Sequence, residues 1–118
     1  MPNPEQGRIV LVEVRDPQGR NAKTRPAVIV SKNSEIQAEG IIWCVAITSA
    51  VPDKLPDDCV MLPFQPSGRS RSGLKCRSAA MCSWLFEITE DEIKKYLGVA
   101  PPEKLQEILA YLERNRRP

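Results

Sequence analysis

Short apolar segments rich in valine and isoleucine, separated by prolines and glycines, most restrict the fold of this 118-residue chain. β-branched residues favour strands, and proline and glycine favour the turns between them. The segments predicted as strands are 7–15, 26–30, 41–47, 59–62, 74–81 and 84–88. Pro26 is compatible only with the start of its strand or with a sheet edge, because proline has no N–H to donate.

The C-terminal third has the signals of helices. Thr89 and Glu92 form a capping-box pattern and Gly98 supplies a stop, which predicts a helix of about two turns. A second helix is predicted from Pro101-Pro102, with one apolar face. That face comprises Leu105, Ile108, Leu109 and Leu112. The fold class is therefore mainly β with appended helices (α+β), as a small barrel or strongly bent sheet, in a single domain over residues 1–118.

The absence of histidine removes the usual general base near neutral pH, so triads built on histidine are excluded. The four cysteines contain no C-x-x-C pair, and without histidine the usual zinc frameworks cannot be written. We expect no metal and no cofactor, and we expect Cys44, inside an apolar run, to be a core residue.

Positive charge is concentrated in two segments. Residues 15–25 hold four cations and one acid, and residues 67–78 hold four cations and no acid. They carry +7 together and leave −5 for the rest of a chain whose total is +2. Local basic loops suit a phosphate backbone, although solvated loops would look the same.

The chain is expected to be cytosolic. Its longest apolar stretch, residues 41–47, is too short to cross a bilayer, and its polar first residues lack the apolar segment of a signal peptide.

The order of motifs resembles the MazF/PemK/Kid family of toxins from toxin-antitoxin pairs. The matching stretches are G-R-I-V-L-V from Gly7, K-T-R-P-A-V-I-V from Lys23, V-A-I-T-S from Val45, and G-L-K from Gly73 followed by Ser78. Gly98, before the final helix, completes the pattern.

This resemblance implies an SH3-like barrel with a C-terminal helix, a homodimer, and metal-independent cleavage of single-stranded mRNA at short sequences. It also implies an antitoxin partner with an acidic flexible segment. The catalytic arginine of the family falls on Arg25, and its strand-end hydroxyl falls on Thr48. Residues expected to bind RNA are Arg20, Lys23, Ser49, Arg69, Arg71, Lys75, Arg77 and Ser78.

Cleavage by the 2′-hydroxyl of the RNA itself is consistent with this residue set, since a guanidinium grips phosphate and a hydroxyl can donate to the same oxygens. Arginine is a poor general base, so the base stays unassigned. The loop 18–24 lacks the acid that many relatives carry, and Trp84 falls near a glutamine of the family. Trp43 and Trp84 are expected in the core or in dimer contacts, with base stacking as the alternative.

Two other functions stay open. A non-catalytic SH3-like RNA-binding module would share the basic loops. A gyrase poison of the CcdB type is disfavoured, because such toxins end in an apolar and aromatic segment whereas this chain ends E-R-N-R-R-P.

Overall fold

The computed structural model describes residues 3–15, 22–36 and 40–115, and only the backbone of residues 14, 15, 22 and 23. Six strands and one α-helix make up most of this part of the chain. They are β1 (Arg8–Arg15), β2 (Ala22–Ile29), β3 (Ile42–Thr48), β4 (Cys59–Leu62), β5 (Ser78–Ile88), β6 (Ile93–Val99) and α1 (Pro102–Arg114). This confirms a mainly β fold with a C-terminal helix.

The strands form one antiparallel sheet in the order β4-β5-β3-β2-β1-β6. No ladder joins β4 to β6 in the described residues, so the bent sheet is barrel-like but not closed. The loop 63–77 lies against the β6 edge instead, where the Val99 N–H donates to the Arg71 carbonyl at 2.8 Å. Gly98 permits this approach, because a Cβ there would lie 2.1 Å from the Arg71 oxygen.

Both faces of the sheet are covered by apolar side chains. On the first face, α1 packs across the sheet with Ile108 fully buried and with Leu105, Leu109 and Leu112 against the same cluster. A second cluster fills the opposite face. β3 contributes to both, with Val45 and Ile47 on the α1 side and Cys44 on the other. β3 is therefore apolar on both faces, as is typical of a strand in the interior of a covered sheet.

The predicted helix after Thr89 is wrong. The Thr89 N–H donates to the Glu92 carboxylate at 2.8 Å, as half of the expected capping box. That cap starts only a 3-10 turn, Glu90–Glu92, and the chain continues as β6. β6 pairs with the edge of β1, with Ile93 opposite Val12. A segment this short gains little as an isolated helix, so pairing with an available strand edge prevails over local propensity.

Two other predicted boundaries are corrected. β2 begins at Ala22, so residues 22–24 belong to a strand rather than to the predicted loop. The predicted strands 74–81 and 84–88 are one strand that starts at Ser78. β5 contains a large bulge. Met81 lies opposite Ala46 and Leu85 lies opposite Val45, so that Cys82, Ser83 and Trp84 have no partner in β3.

Candidate active site

The candidate site begins where β2 and β3 separate. The Val30 N–H donates to the Trp43 carbonyl at 2.9 Å, so the even-numbered residues of β2 direct their backbone groups toward β3. Pro26 has no N–H to offer, and the last pair between these strands is Ala27 with Ala46. Continuing the register would place Arg25 opposite Thr48. The strands have parted there, and both residues border the gap.

A cavity of about 390 Å³ fills this gap on the sheet face opposite α1. Paired residues of three neighbouring strands form its floor: Thr48 of β3 lies opposite Ala79 of β5, and Met81 of β5 lies opposite Cys59 of β4. The lining residues are Arg25, Thr48, Ala50, Val51, Pro52, Pro56, Asp58, Cys59, Ala79, Met81 and Trp84. The structure therefore brings together the two residues expected to be catalytic. Thr48 is half-buried, and its hydroxyl accepts the Ala50 N–H at 3.1 Å.

The bulge in β5 places Trp84 over Arg25. The guanidinium carbon of Arg25 lies 5.7 Å from the centre of the indole ring, within the range of a cation–π contact. Trp84 is half-buried and also packs against the second core cluster. The expectation that it is a core residue is thus incomplete, because the same side chain lines the cavity. Trp43, by contrast, is 43% exposed.

Asp58 is a cavity residue that the sequence did not single out. It precedes β4, 33 positions after Arg25, and only the β4–β5 pairing brings it to the cavity. The Ser83 hydroxyl in the bulge donates to Asp58 Oδ2 at 2.5 Å. Its one sequence signal is a carboxylate at the start of a predicted strand, which many surface residues share.

The basic residues of the loop 63–77 are exposed. Arg69, Arg71, Lys75 and Arg77 all present their side chains to solvent. Arg77 Nη1 donates to the Val51 carbonyl at 3.1 Å, and Val51 lines the cavity, so the end of this basic loop reaches the cavity wall.

The remaining predicted RNA contacts fare differently. Ser49 is exposed just beyond β3. Ser78 is 2% exposed and its hydroxyl donates to the Cys76 carbonyl at 2.9 Å, so the structure does not present that hydroxyl to RNA. Lys23 belongs to β2, and its side chain is not described. Arg20 lies outside the described residues.

The cysteines at positions 44, 59, 76 and 82 are free thiols. Burial raises the pKa of the Cys44 thiol to about 12, which agrees with its prediction as a core residue. Cys59 borders the cavity, and burial followed by the neighbouring Asp58 raises the pKa of its thiol. A thiol with a raised pKa is a poor nucleophile near neutral pH. In the described part of the chain, no group of three or more Cys, Asp or Glu residues is arranged to hold a metal ion.

No helix among the described residues has the length and apolar character needed to span a bilayer. A comparison with curated protein sequences finds no match. Solved structures do share the fold. A chain of the MazE-MazF crystal structure (Form-II) from Deinococcus radiodurans has a TM-score of 0.70 at 19% identity, over 94% of this chain and 93% of that one.

Two further structures are similar to the same extent. MazF (Form-I) from Deinococcus radiodurans has a TM-score of 0.71 at 20% identity, over 94% of each chain. An endoribonuclease in complex with its cognate antitoxin, from a mycobacterial species, has a TM-score of 0.67 at 21% identity. That match covers 98% of this chain and 100% of the other.

The sequence itself assigns the chain to a family, which a shared fold alone does not do. Residues 5–115 match the family described as the PemK-like, MazF-like toxin of type II toxin-antitoxin systems. This range contains the whole sheet, α1 and every residue that lines the cavity. The chain therefore belongs to the PemK/MazF-like family of type II toxins.

Proposed function

We propose that this toxin is an endoribonuclease that cuts single-stranded mRNA within short sequences, without a metal ion. The observation that carries the proposal is that Arg25 and Thr48 line one cavity, at the place where Pro26 ends the β2–β3 ladder. Two structures of this fold are of endoribonucleases or MazF toxins, which supports the same activity here.

The cavity residues suit cleavage by the 2′-hydroxyl of the substrate. A guanidinium donates in a planar fork to two phosphate oxygens, and the Arg25 side chain is held in place by the Trp84 ring. We assign Arg25 to stabilising the charge on the phosphoryl oxygens and assisting the leaving group. Thr48 is assigned as a second, positioning donor, since its hydroxyl oxygen accepts the Ala50 N–H and keeps its own proton to donate.

The RNA strand is proposed to run from the cavity along the loop 63–77. Arg69, Arg71, Lys75 and Arg77 are exposed there, and Arg77 ties the end of the loop to the cavity wall through Val51. Lys23, Arg20 and Ser49 stay predicted contacts. Ser78 is left out because its hydroxyl is buried.

The same basic surface is proposed to bind an antitoxin through an acidic flexible segment. The carboxylates of that segment would then pair with the cations that otherwise bind phosphates. Two matched structures are MazE-MazF or endoribonuclease–antitoxin complexes, which supports such a partner. RNA and the antitoxin should compete, and simultaneous binding without loss of affinity would contradict a shared surface.

We also propose that the toxin is a homodimer and that it lies in the cytoplasm. Sedimentation of the purified toxin tests the oligomeric state.

The test is incubation of the purified protein with a long RNA in EDTA, followed by mapping of the new ends. We expect fragments with 2′,3′-cyclic phosphate and 5′-hydroxyl ends. Cleavage that EDTA abolishes and magnesium restores would contradict the mechanism. RNA binding without any cleavage would instead identify a non-catalytic RNA-binding module.

A further inference from the structure

The proposed cleavage lacks a group that removes the proton from the attacking 2′-hydroxyl. Arg25 cannot accept it, because a guanidinium stays protonated. The chain has no histidine, and the Cys59 thiol is held protonated by its raised pKa. Among the described residues that line the cavity, a carboxylate is the remaining type of side chain for this role.

Asp58 is the one carboxylate among the described residues that line this cavity. Asp58 is half-buried, is the last residue before β4, and lines the same partly enclosed space as Arg25 and Thr48. Its neighbour Asp57 is exposed and borders a different depression, between β4 and α1. Asp57 and Asp58 are adjacent in sequence but lie at different depressions of the surface.

Neighbours on two sides fix the Asp58 carboxylate. The Ser83 hydroxyl donates to Oδ2 at 2.5 Å, and the Cys59 thiol donates weakly to Oδ1 at 3.7 Å. The Cys82 N–H donates to the Asp58 carbonyl at 2.7 Å and anchors the backbone. Ser83 and Cys82 both belong to the bulge in β5, which also carries Trp84 to Arg25. One irregularity of the sheet thus places a carboxylate and a guanidinium at the same cavity.

Within the part of the chain that the structure describes, no cation forms an ion pair with Asp58. Arg8 pairs with Glu5 and Lys104 with Glu107, both away from the cavity. A direct ion pair would weaken a carboxylate as a proton acceptor. The Ser83 contact engages one oxygen, and among the described residues Oδ1 has only the weak thiol contact to compete with a substrate hydroxyl.

We propose that Asp58 is the general base of the cleavage, an inference that rests on the proposed endoribonuclease function. The 2′-hydroxyl proton moves to a carboxylate oxygen of Asp58 as the O2′–P bond forms. The P–O5′ bond breaks, its electron pair goes to O5′, and solvent water supplies the proton that O5′ takes up. The hydroxide left by that water accepts the proton from Asp58 and restores the carboxylate. Arg25 compensates the charge on the phosphoryl oxygens throughout. Asp58 thereby takes a role that no carboxylate at positions 18–24 can fill, since this stretch of sequence contains none.

The decisive comparison is Asp58→Asn against Asp57→Asn, with a short RNA that holds one mapped cleavage site. Loss of a general base should lower kcat/KM about 100- to 10,000-fold in Asp58→Asn. Asp57→Asn should stay within about twofold of wild type, because its side chain lies outside the cavity. Affinity for the same RNA carrying 2′-deoxyribose at the cleavage site should be unchanged in both, since that analogue binds but cannot react.

Chemical rescue separates proton transfer from a structural role. Added formate should restore part of the cleavage by Asp58→Ala and none by Arg25→Ala, because formate can replace a carboxylate but not a guanidinium. Asp58→Glu should keep measurable activity, and it serves in place of Asp58→Asn if that variant melts early. Near-normal cleavage by folded Asp58→Asn, or a loss matched by equally weaker binding of the deoxy analogue, would overturn the inference alone. An inert wild-type protein would overturn the proposed function as well.

Discussion

The guanidinium of Arg25 lies over the indole ring of Trp84, with 5.7 Å between the guanidinium carbon and the ring centre. The contact joins a residue of β2 to the bulge of β5, two strands that are separated in the sheet by β3. Trp84 therefore acts on Arg25 from across the cavity rather than as a neighbour in the ladder.

Trp84→Ala should lower kcat/KM about two- to fivefold, because a partly exposed cation–π contact is worth about 0.5–1 kcal/mol. Trp84→Phe should lose less, since it keeps an aromatic face. Trp43→Ala is the matched control, as this second tryptophan is exposed and does not line the cavity. Single-turnover cleavage rates measure the effect. Equal rates for Trp84→Ala and wild type would mean that Arg25 needs no support from the ring.

Thr48→Val should lower the cleavage rate about 100- to 1000-fold, as expected when a donor to the transition state is lost. Thr48→Ser keeps the hydroxyl and should stay near wild type. The two variants together separate the effect of the hydroxyl from that of the side-chain shape.

Arg25→Ala should lower the cleavage rate by the same factor as Thr48→Val. Arg25→Lys should recover little of that rate, because lysine lacks the planar fork. Rates are compared only for variants with wild-type melting temperatures. A folded Arg25→Ala protein that cuts normally would refute the assignment.

Arg69→Ala/Arg71→Ala should bind a non-cleavable RNA more weakly and with a shallower dependence on salt. Each cation that engages a phosphate of a single strand contributes about 0.7 to the slope of log affinity against log salt concentration. Lys94→Ala/Lys95→Ala removes the same charge from exposed positions of β6 and should leave the slope unchanged. Titrations at several salt concentrations give the slopes. Identical slopes for the two variants would place the RNA away from the loop 63–77.

Gly73→Ala should destabilise the fold more than Gly68→Ala. Both glycines have a positive φ, +73° and +76°, so alanine costs about 1–2 kcal/mol at either one. A Cβ at Gly73 would also lie 2.0 Å from the Leu97 carbonyl oxygen, whereas at Gly68 it would meet only the flexible Lys75 side chain at 3.2 Å. Urea unfolding measures the difference. Equal losses would show that the loop 63–77 can move away from β6 at little cost.

The strands with a clear apolar pattern were predictable. β4 has the predicted bounds, and β3 starts and ends one residue later than predicted. β6 was not, because Ile93, Tyr96 and Leu97 also fit helical spacing, and only the free edge of β1 decides between the two states. The bulge in β5 was equally hidden, since it is a mismatch of register between two strands that look regular when read separately.

The candidate site was predictable only as far as motif order reached. Arg25 and Thr48 were identified from the resemblance of the motif order to the toxin family, and they do line one cavity. Asp58 and Trp84 come from segments far along the chain, and their approach depends on the β4–β5 register and on the bulge. The local sequence around either residue does not show that it reaches the cavity.

The proline at position 26 also affects the energetics of binding. Pro26 lacks the N–H that would continue the β2–β3 ladder, so the opening beside Arg25 exists without a bound ligand. A substrate entering a preorganised cleft does not spend binding free energy on separating strands, so more of that energy remains for the reacting phosphate.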